Sequence, residues 1–153
     1  MRSRILALVA LMFVLTVAPA AEASVFPEIR PRAGVGFTPD QFVVGAQALL
    51  RARLGVARLA PSIDVGFGDN VTATVINLDV LSKVLPVGKS VGLYGGAGVS
   101  FAIFSGDGAS DSQFGGTLVG GADFGNRFFG EARFGLDEMP DLRLLAGLRL
   151  IRK

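Results

Sequence analysis

The chain has 153 residues, one domain by length, with 15 lysines and arginines against 13 aspartates and glutamates, 21 glycines, and no histidine, cysteine or tryptophan. Without histidine there is no Ser-His or Cys-His nucleophile and little prospect of a zinc site; without cysteine there is no disulfide, thiolate metal site or acylated N-terminus. The near balance of charge gives no reason to expect a nucleic-acid partner, and no cofactor is expected.

Residues 1–23 read as a secretory signal peptide. Arg2 and Arg4 precede an uncharged apolar run from Ile5 to Val17, followed by the small-x-small sites Ala18-Pro19-Ala20 and Ala21-Glu22-Ala23. The run is short for a membrane-spanning helix, so cleavage after Ala23 is expected, leaving residues 24–153 as a single domain.

The remaining chain alternates with a period of two between turn signals, the pattern of an all-β sandwich or barrel. A first run, Arg32 to Phe37, ends at Thr38-Pro39-Asp40. In the second, Phe42, Val44, Ala46, Ala48 and Leu50 face one way, and Gln41, Val43, Gly45, Gln47, Leu49 and Arg51 the other. In the third, Arg58 to Gly68, Leu59, Ile63, Val65 and Phe67 oppose Arg58, Ser62, Asp64 and Gly66, with Pro61 awkward for an interior strand. Gly68 to Asn70 turns into a fourth run, about Val71 to Val84, which carries Asn77 and Asp79 on the face of Val75. Pro86 to Lys89 is the next turn signal.

The uncharged fifth run, Ser90 to Phe104, invites a helical reading, but its glycines and strict alternation favour a strand. Ser105 to Gln113 reads as the longest loop. The sixth run, Gly116 to Phe124, meets the seventh, Arg127 to Leu136, across a two-residue Gly125-Asn126 hairpin signal. Asp137 to Asp141 leads into the eighth, where Arg143, Gly147 and Arg149 oppose Leu142, Leu144, Ala146, Leu148 and Leu150. The expected fold is therefore all-β: an eight-stranded antiparallel up-and-down transmembrane barrel of strands about 9–11 residues long, after a cleaved signal peptide.

Alternation alone fits a soluble or a membrane barrel. Three observations favour the membrane barrel: the export signal, the polar face and the loops. The polar face collects Arg51, Arg58, Asp64, Asp79, Asp123, Glu131, Arg133, Arg143 and Arg149, five arginines against four carboxylates. Desolvated charges must pair, so near-neutrality suits a closed lumen, with glycine on the same face making room for the long side chains. With both termini at one end, the odd-numbered connections carry only acidic residues: Asp40, Asp69, Asp107, Asp111, Asp137, Glu138 and Asp141. The opposite end receives Arg30, Arg32, Arg53, Lys83, Lys89, Arg152 and Lys153. Phenylalanines near the run ends, Phe104 among them, would supply interfacial girdles.

The stretches "GVGFTPDQFVVGAQ", "PSIDVGFGDNVT", "GLYGGAGVSF" and "FFGEARFGL…PDLRLLAGLRL", behind an export signal, resemble small outer-membrane β-barrel proteins of the OmpA/OmpX-like, porin-family type. The resemblance implies an outer-membrane location in a Gram-negative cell, outer-membrane lipid as the surrounding partner, insertion by the barrel-assembly machinery, and a monomer. It departs from that type at the end, where Leu150 to Lys153 lack an aromatic residue.

Chemical motifs are sparse. Gly88-Lys89-Ser90 imitates a phosphate-binding loop, but Lys83 stands where the first glycine belongs. Asp107 and Asp111 lack EF-hand spacing, and Asn70-Val71-Thr72 is an isolated sequon. The inward carboxylates suit an ion network with arginine better than a glycosidase pair, and Ser62 and Ser100 have no base. The expected role is non-enzymatic and structural, or one of membrane integrity, with at most a narrow small-ion passage. An exported lipocalin-like barrel binding an apolar ligand is the alternative, and it requires the apolar face inside.

Overall fold

The computed structural model describes residues 28–38, 40–54, 57–137 and 139–150, with the side chains of 51–54 excepted. The signal segment 1–23 thus lies outside the described residues, as do Glu138, Arg152, Lys153 and the side chains of Arg51 and Arg53. Eight strands follow one another: β1 Glu28–Phe37, β2 Gln41–Leu54, β3 Ala57–Gly68, β4 Thr72–Val87, β5 Val91–Gly106, β6 Ala109–Phe124, β7 Phe128–Gly135 and β8 Leu142–Leu148. Each pairs antiparallel with the next, and β1 returns to β8 from Arg32↔Gly147 to Phe37↔Leu142, closing the barrel. Closure leaves no edge along the body of the sheet, and it gives each strand an inside and an outside.

The strands are less uniform than 9–11 residues, running from 7 in β8 to 16 in β4, β5 and β6. The segment expected to be the longest loop, Ser105 to Gln113, is almost all strand. Gly106 pairs with Ala109 around a two-residue Asp107-Gly108 turn, in which both residues have positive φ, +44° and +79°. Asp-Gly fits such a turn because its backbone twist matches that of the flanking strands, so pairing continues to the tip. Asp111 consequently sits in β6 and not in a loop. The Gly125-Asn126 signal makes a three-residue connection, since Phe124 pairs with Phe128.

At the same end, β4 continues through Val87, beyond the expected strand end at Val84 and into the first half of the expected turn. The β3–β4 ladder begins at Ala57↔Ser82, and among the described residues Lys83, Leu85, Pro86 and Val87 pair only with β5. Such a free edge tolerates proline, and the register shift between Lys83 and Leu85 bends it. Pro61 is accommodated differently. It pairs with Leu78 of β4, while the β2–β3 pairs step from Gln47↔Ser62 to Leu50↔Leu59 without one at Pro61.

The barrel is inverted relative to a water-soluble fold. Val35, Phe37, Phe42, Ile63, Phe67, Ile76, Val99, Phe114, Leu118, Phe134, Leu144 and Leu148 are all exposed on the outer surface. Arginines, aspartates, a glutamate, Asn77, Ser100 and Thr117 are buried inside. Cross-strand pairs Phe42↔Phe67 and Phe101↔Phe114 lie toward one end, and Phe124↔Phe128 toward the other. Phe104 is not part of this belt; it is on an inward position and packs against Val75, Ala102 and Met139.

Glycine serves the carboxylates as much as the arginines. A Cβ at Gly45 would collide with the Asp64 carboxylate and the Ile63 carbonyl, and one at Gly98 with the Asp79 carboxylate and the Leu78 carbonyl.

Candidate functional site

The inside of the barrel is built in layers, fixed by how far each inward residue lies along its strand. At the end of the odd-numbered connections is an apolar cap. Met139, brought back by the β7–β8 connection, is 3 % exposed and packs with Val75, Ala102 and Phe104. Backbone bonds from Gly135 N to Asp141 O and from Leu136 N to Gly116 O hold that connection down.

Beneath the cap lies the central ionic layer. Arg32 donates through Nε and Nη2 to the two oxygens of Asp64, both at 2.8 Å, through Nη1 to Glu131 Oε1 at 2.9 Å, and through Nη2 to Ser62 Oγ at 2.8 Å. Arg133 reaches Glu131 Oε1 at 2.8 Å and Asp79 Oδ2 at 2.7 Å. Arg143 contacts Asp64 Oδ2 at 3.2 Å. Three arginines thus face three carboxylates, all nearly or fully buried. Burial makes charge balance favourable to folding, because an unpaired ion here has no water to solvate it.

Neutral polar groups complete this layer. Asn77 Nδ2 donates to Ser62 Oγ and Asp64 Oδ2, Ser100 Oγ donates to Asn77 Oδ1, and Ser100 shares a 2.6 Å bond with Thr117. Tyr94 donates to the other Glu131 oxygen at 3.0 Å. Tyr94 also belongs to the next layer, an apolar collar with Leu49, Ala60, Leu81 and Val119.

A second ionic group sits at the end holding the chain termini. Arg30 bonds Glu28 at 2.7 Å and lies 3.2 Å from Asp123; Arg149 bonds Glu28 at 2.7 Å and lies 3.8 Å from Asp123. Two cations meet two carboxylates. The Arg30 guanidinium lies over the rings of Tyr94 and Phe129, 5.5 and 5.0 Å from their centroids. The hydrogen bond to Glu28, more than any other influence, raises the pKa of Arg149, which follows the last strand.

Of the nine charged residues assigned to the lumen from sequence, Asp64, Asp79, Glu131, Arg133 and Arg143 meet in the central layer, and Asp123 and Arg149 in the terminal one. Arg58 is half-buried and has no ion-pair partner among the described residues; the Arg51 side chain lies outside them. Arg30 and Arg32, assigned from sequence to the rim, are inside the barrel. Their signal was phase: Glu28, Arg30 and Arg32 alternate in step with Gly34 and Gly36. Pro31 disguises it by interrupting the run, yet it pairs with Ala46 of β2 and lies just beyond the β1–β8 ladder, which begins at Arg32.

A recess at the terminal end is lined by Arg30, Leu49, Arg58, Leu81, Ser82, Lys83, Tyr94 and Asp123, with a cavity volume of about 20 Å³. That is room for about one water, and the inward face is charged where a lipocalin-like apolar site requires it to be apolar.

No protein-family model and no curated protein sequence matches the chain. Among solved structures, it is similar to the N-terminal β-barrel domain of Pseudomonas aeruginosa OprF, at 19 % identity and a TM-score of 0.54, over 81 % of this chain and 96 % of that one. Ail, the attachment invasion locus protein of Yersinia pestis, also matches at 19 % identity over 81 % and 95 % of the two chains, with a TM-score of 0.33. By fold, then, the chain is a closed eight-stranded antiparallel barrel, similar to that of the OprF N-terminal domain, with its charged face turned inward.

Proposed function

We propose that the chain is an integral outer-membrane protein of a Gram-negative cell, delivered by a cleaved signal peptide, with a structural or membrane-integrity role and no enzymatic activity. The observation that carries this reading is the inverted partition of side chains, with charge inside and large apolar residues outside. Only a non-aqueous surrounding makes that arrangement favourable. Along β5, outward apolar residues extend from Leu93 to Ile103, which at about 3.3 Å per residue and a tilt of about 40° covers about 25 Å, the height of an outer-membrane barrel's apolar band.

In this reading the terminal end faces the periplasm and the acidic turns face outward, the barrel-assembly machinery inserts the chain, and lipid surrounds a monomer. The two ionic layers and the Met139 cap favour a plugged lumen that passes at most small ions. The absence of enzymatic activity is supported by the engagement of the candidate groups: Ser62 accepts bonds from Arg32 and Asn77, and Asp64 and Glu131 are held by arginines.

The test is cell fractionation combined with gel mobility before and after boiling. Recovery in the outer membrane with a heat-dependent mobility shift is expected. Recovery in the soluble periplasmic fraction without a shift would overturn the proposal.

A further inference from the structure

We propose that the recess at the terminal mouth of the barrel binds a phosphate dianion, as free phosphate or as the terminal phosphate of a lipid headgroup. Three cations line it, Arg30, Arg58 and Lys83, against one carboxylate, Asp123, while Glu28 and Arg149 pair with each other and with these groups just behind it. Both carboxylates are engaged by Arg30 and Arg149. Arg58 and Lys83 therefore bring an excess of two positive charges to one concave site, with no carboxylate paired to them among the described residues.

Arg30 is the second observation. It is 1 % exposed, and its plane is fixed between the Tyr94 and Phe129 rings, yet Nη1 makes no hydrogen bond in spite of lying 3.2 Å from Asp123 Oδ1. Arg30 thus stays a buried cation on the recess wall, its charge only loosely matched by Asp123, which favours an anion at the opening. Ser82 adds a hydroxyl whose one contact, to the Lys83 carbonyl, is long at 3.5 Å.

The small volume limits what enters. At most one phosphate oxygen fits the recess, so the group is held chiefly at the opening, by Arg58 and Lys83. A dianion matches the excess of two charges, which a carboxylate would neutralise only by half. Beyond the opening, Val84 and Leu85 are exposed on the β4 extension and offer an apolar contact to a lipid headgroup's chains. That the mouth faces the periplasm rests on the orientation proposed above; binding in micelles does not depend on it.

The experiment is a titration of the folded protein in uncharged detergent at pH 7.5 with inorganic phosphate, followed through backbone amide shifts at Ser82, Tyr94 and Asp123. Sodium chloride at matched ionic strength is the control. Saturable shifts confined to the mouth are expected, with binding weakened roughly tenfold in Lys83→Gln and in Arg58→Gln, the loss of one charge-assisted contact. Lys83 is exposed and outside every ion pair described, so Lys83→Gln tests the site without threatening the fold. Shifts reproduced by chloride, or unchanged by Lys83→Gln, would overturn the proposal. Nanodiscs with and without phosphatidic acid separate the sources: matching shifts and competition with free phosphate identify a headgroup, and shifts with free phosphate alone identify a soluble one.

Discussion

Replacing Arg32 by methionine removes one cation from the centre of the barrel and four hydrogen bonds with it. Three carboxylates then face two arginines. Asp64 keeps Arg143 at 3.2 Å and Glu131 keeps Arg133 at 2.8 Å, but Arg133 must also serve Asp79, so one negative charge is left over in a site without solvent. Breaking a buried pair by removing one partner costs about 3–5 kcal/mol. Arg32→Met should lower the free energy of unfolding by that amount. Adding Glu131→Gln should recover much of it, because the double variant retains two complete pairs, Asp64–Arg143 and Asp79–Arg133. A double variant more stable than Arg32→Met, with a coupling of about 1–3 kcal/mol, is the signature of shared charge balance. Urea unfolding in lipid vesicles, read by the mobility of the unboiled protein, measures all three chains. If Arg32→Met costs less than about 1 kcal/mol, or if Glu131→Gln only adds to the damage, pairwise neutrality is not what stabilises the lumen.

The remaining predictions probe other layers. Gly98→Ala should destabilise by about 1–3 kcal/mol, since its methyl group meets the Asp79 carboxylate and backbone, whereas Gly120→Ala, with open space around the new Cβ, should be close to neutral in the same urea assay. Leu118→Arg, on the outer surface near mid-barrel, should cost about 2–4 kcal/mol in a bilayer, and an unchanged vesicle unfolding curve would contradict lipid contact there. Met139→Ala should destabilise by about 2 kcal/mol or more through the cavity it leaves, while planar-bilayer recordings show no added conductance because both ionic layers stay in place.

Much of the barrel is legible in the sequence because a strand's side-chain period is two. Glu131 and Arg133 must share a face, and so must Asn77 and Asp79, whatever the strands pair with. The same rule located Gly96, Gly98 and Ser100 opposite Val99 and Phe101. Less legible were the places where a local signal competes with pairing. Pro31 concealed the strand carrying Arg30 and Arg32, and the polar stretch from Ser105 to Gln113 hid an Asp-Gly hairpin whose strands continue to its tip.

The sequence by itself determined the alternation, the number of strands and the near-equality of charge on one face, since each follows from local spacing and composition. Only the tertiary structure decided which arginine answers which carboxylate. Arg32 reaches Asp64 across 32 residues and Glu131 across 99, a coincidence set by closure of β1 on β8 and the stagger of every strand between. Closure also decided the sense of the two faces: alternation makes a strand two-sided, but a side becomes an inside only when the sheet meets itself.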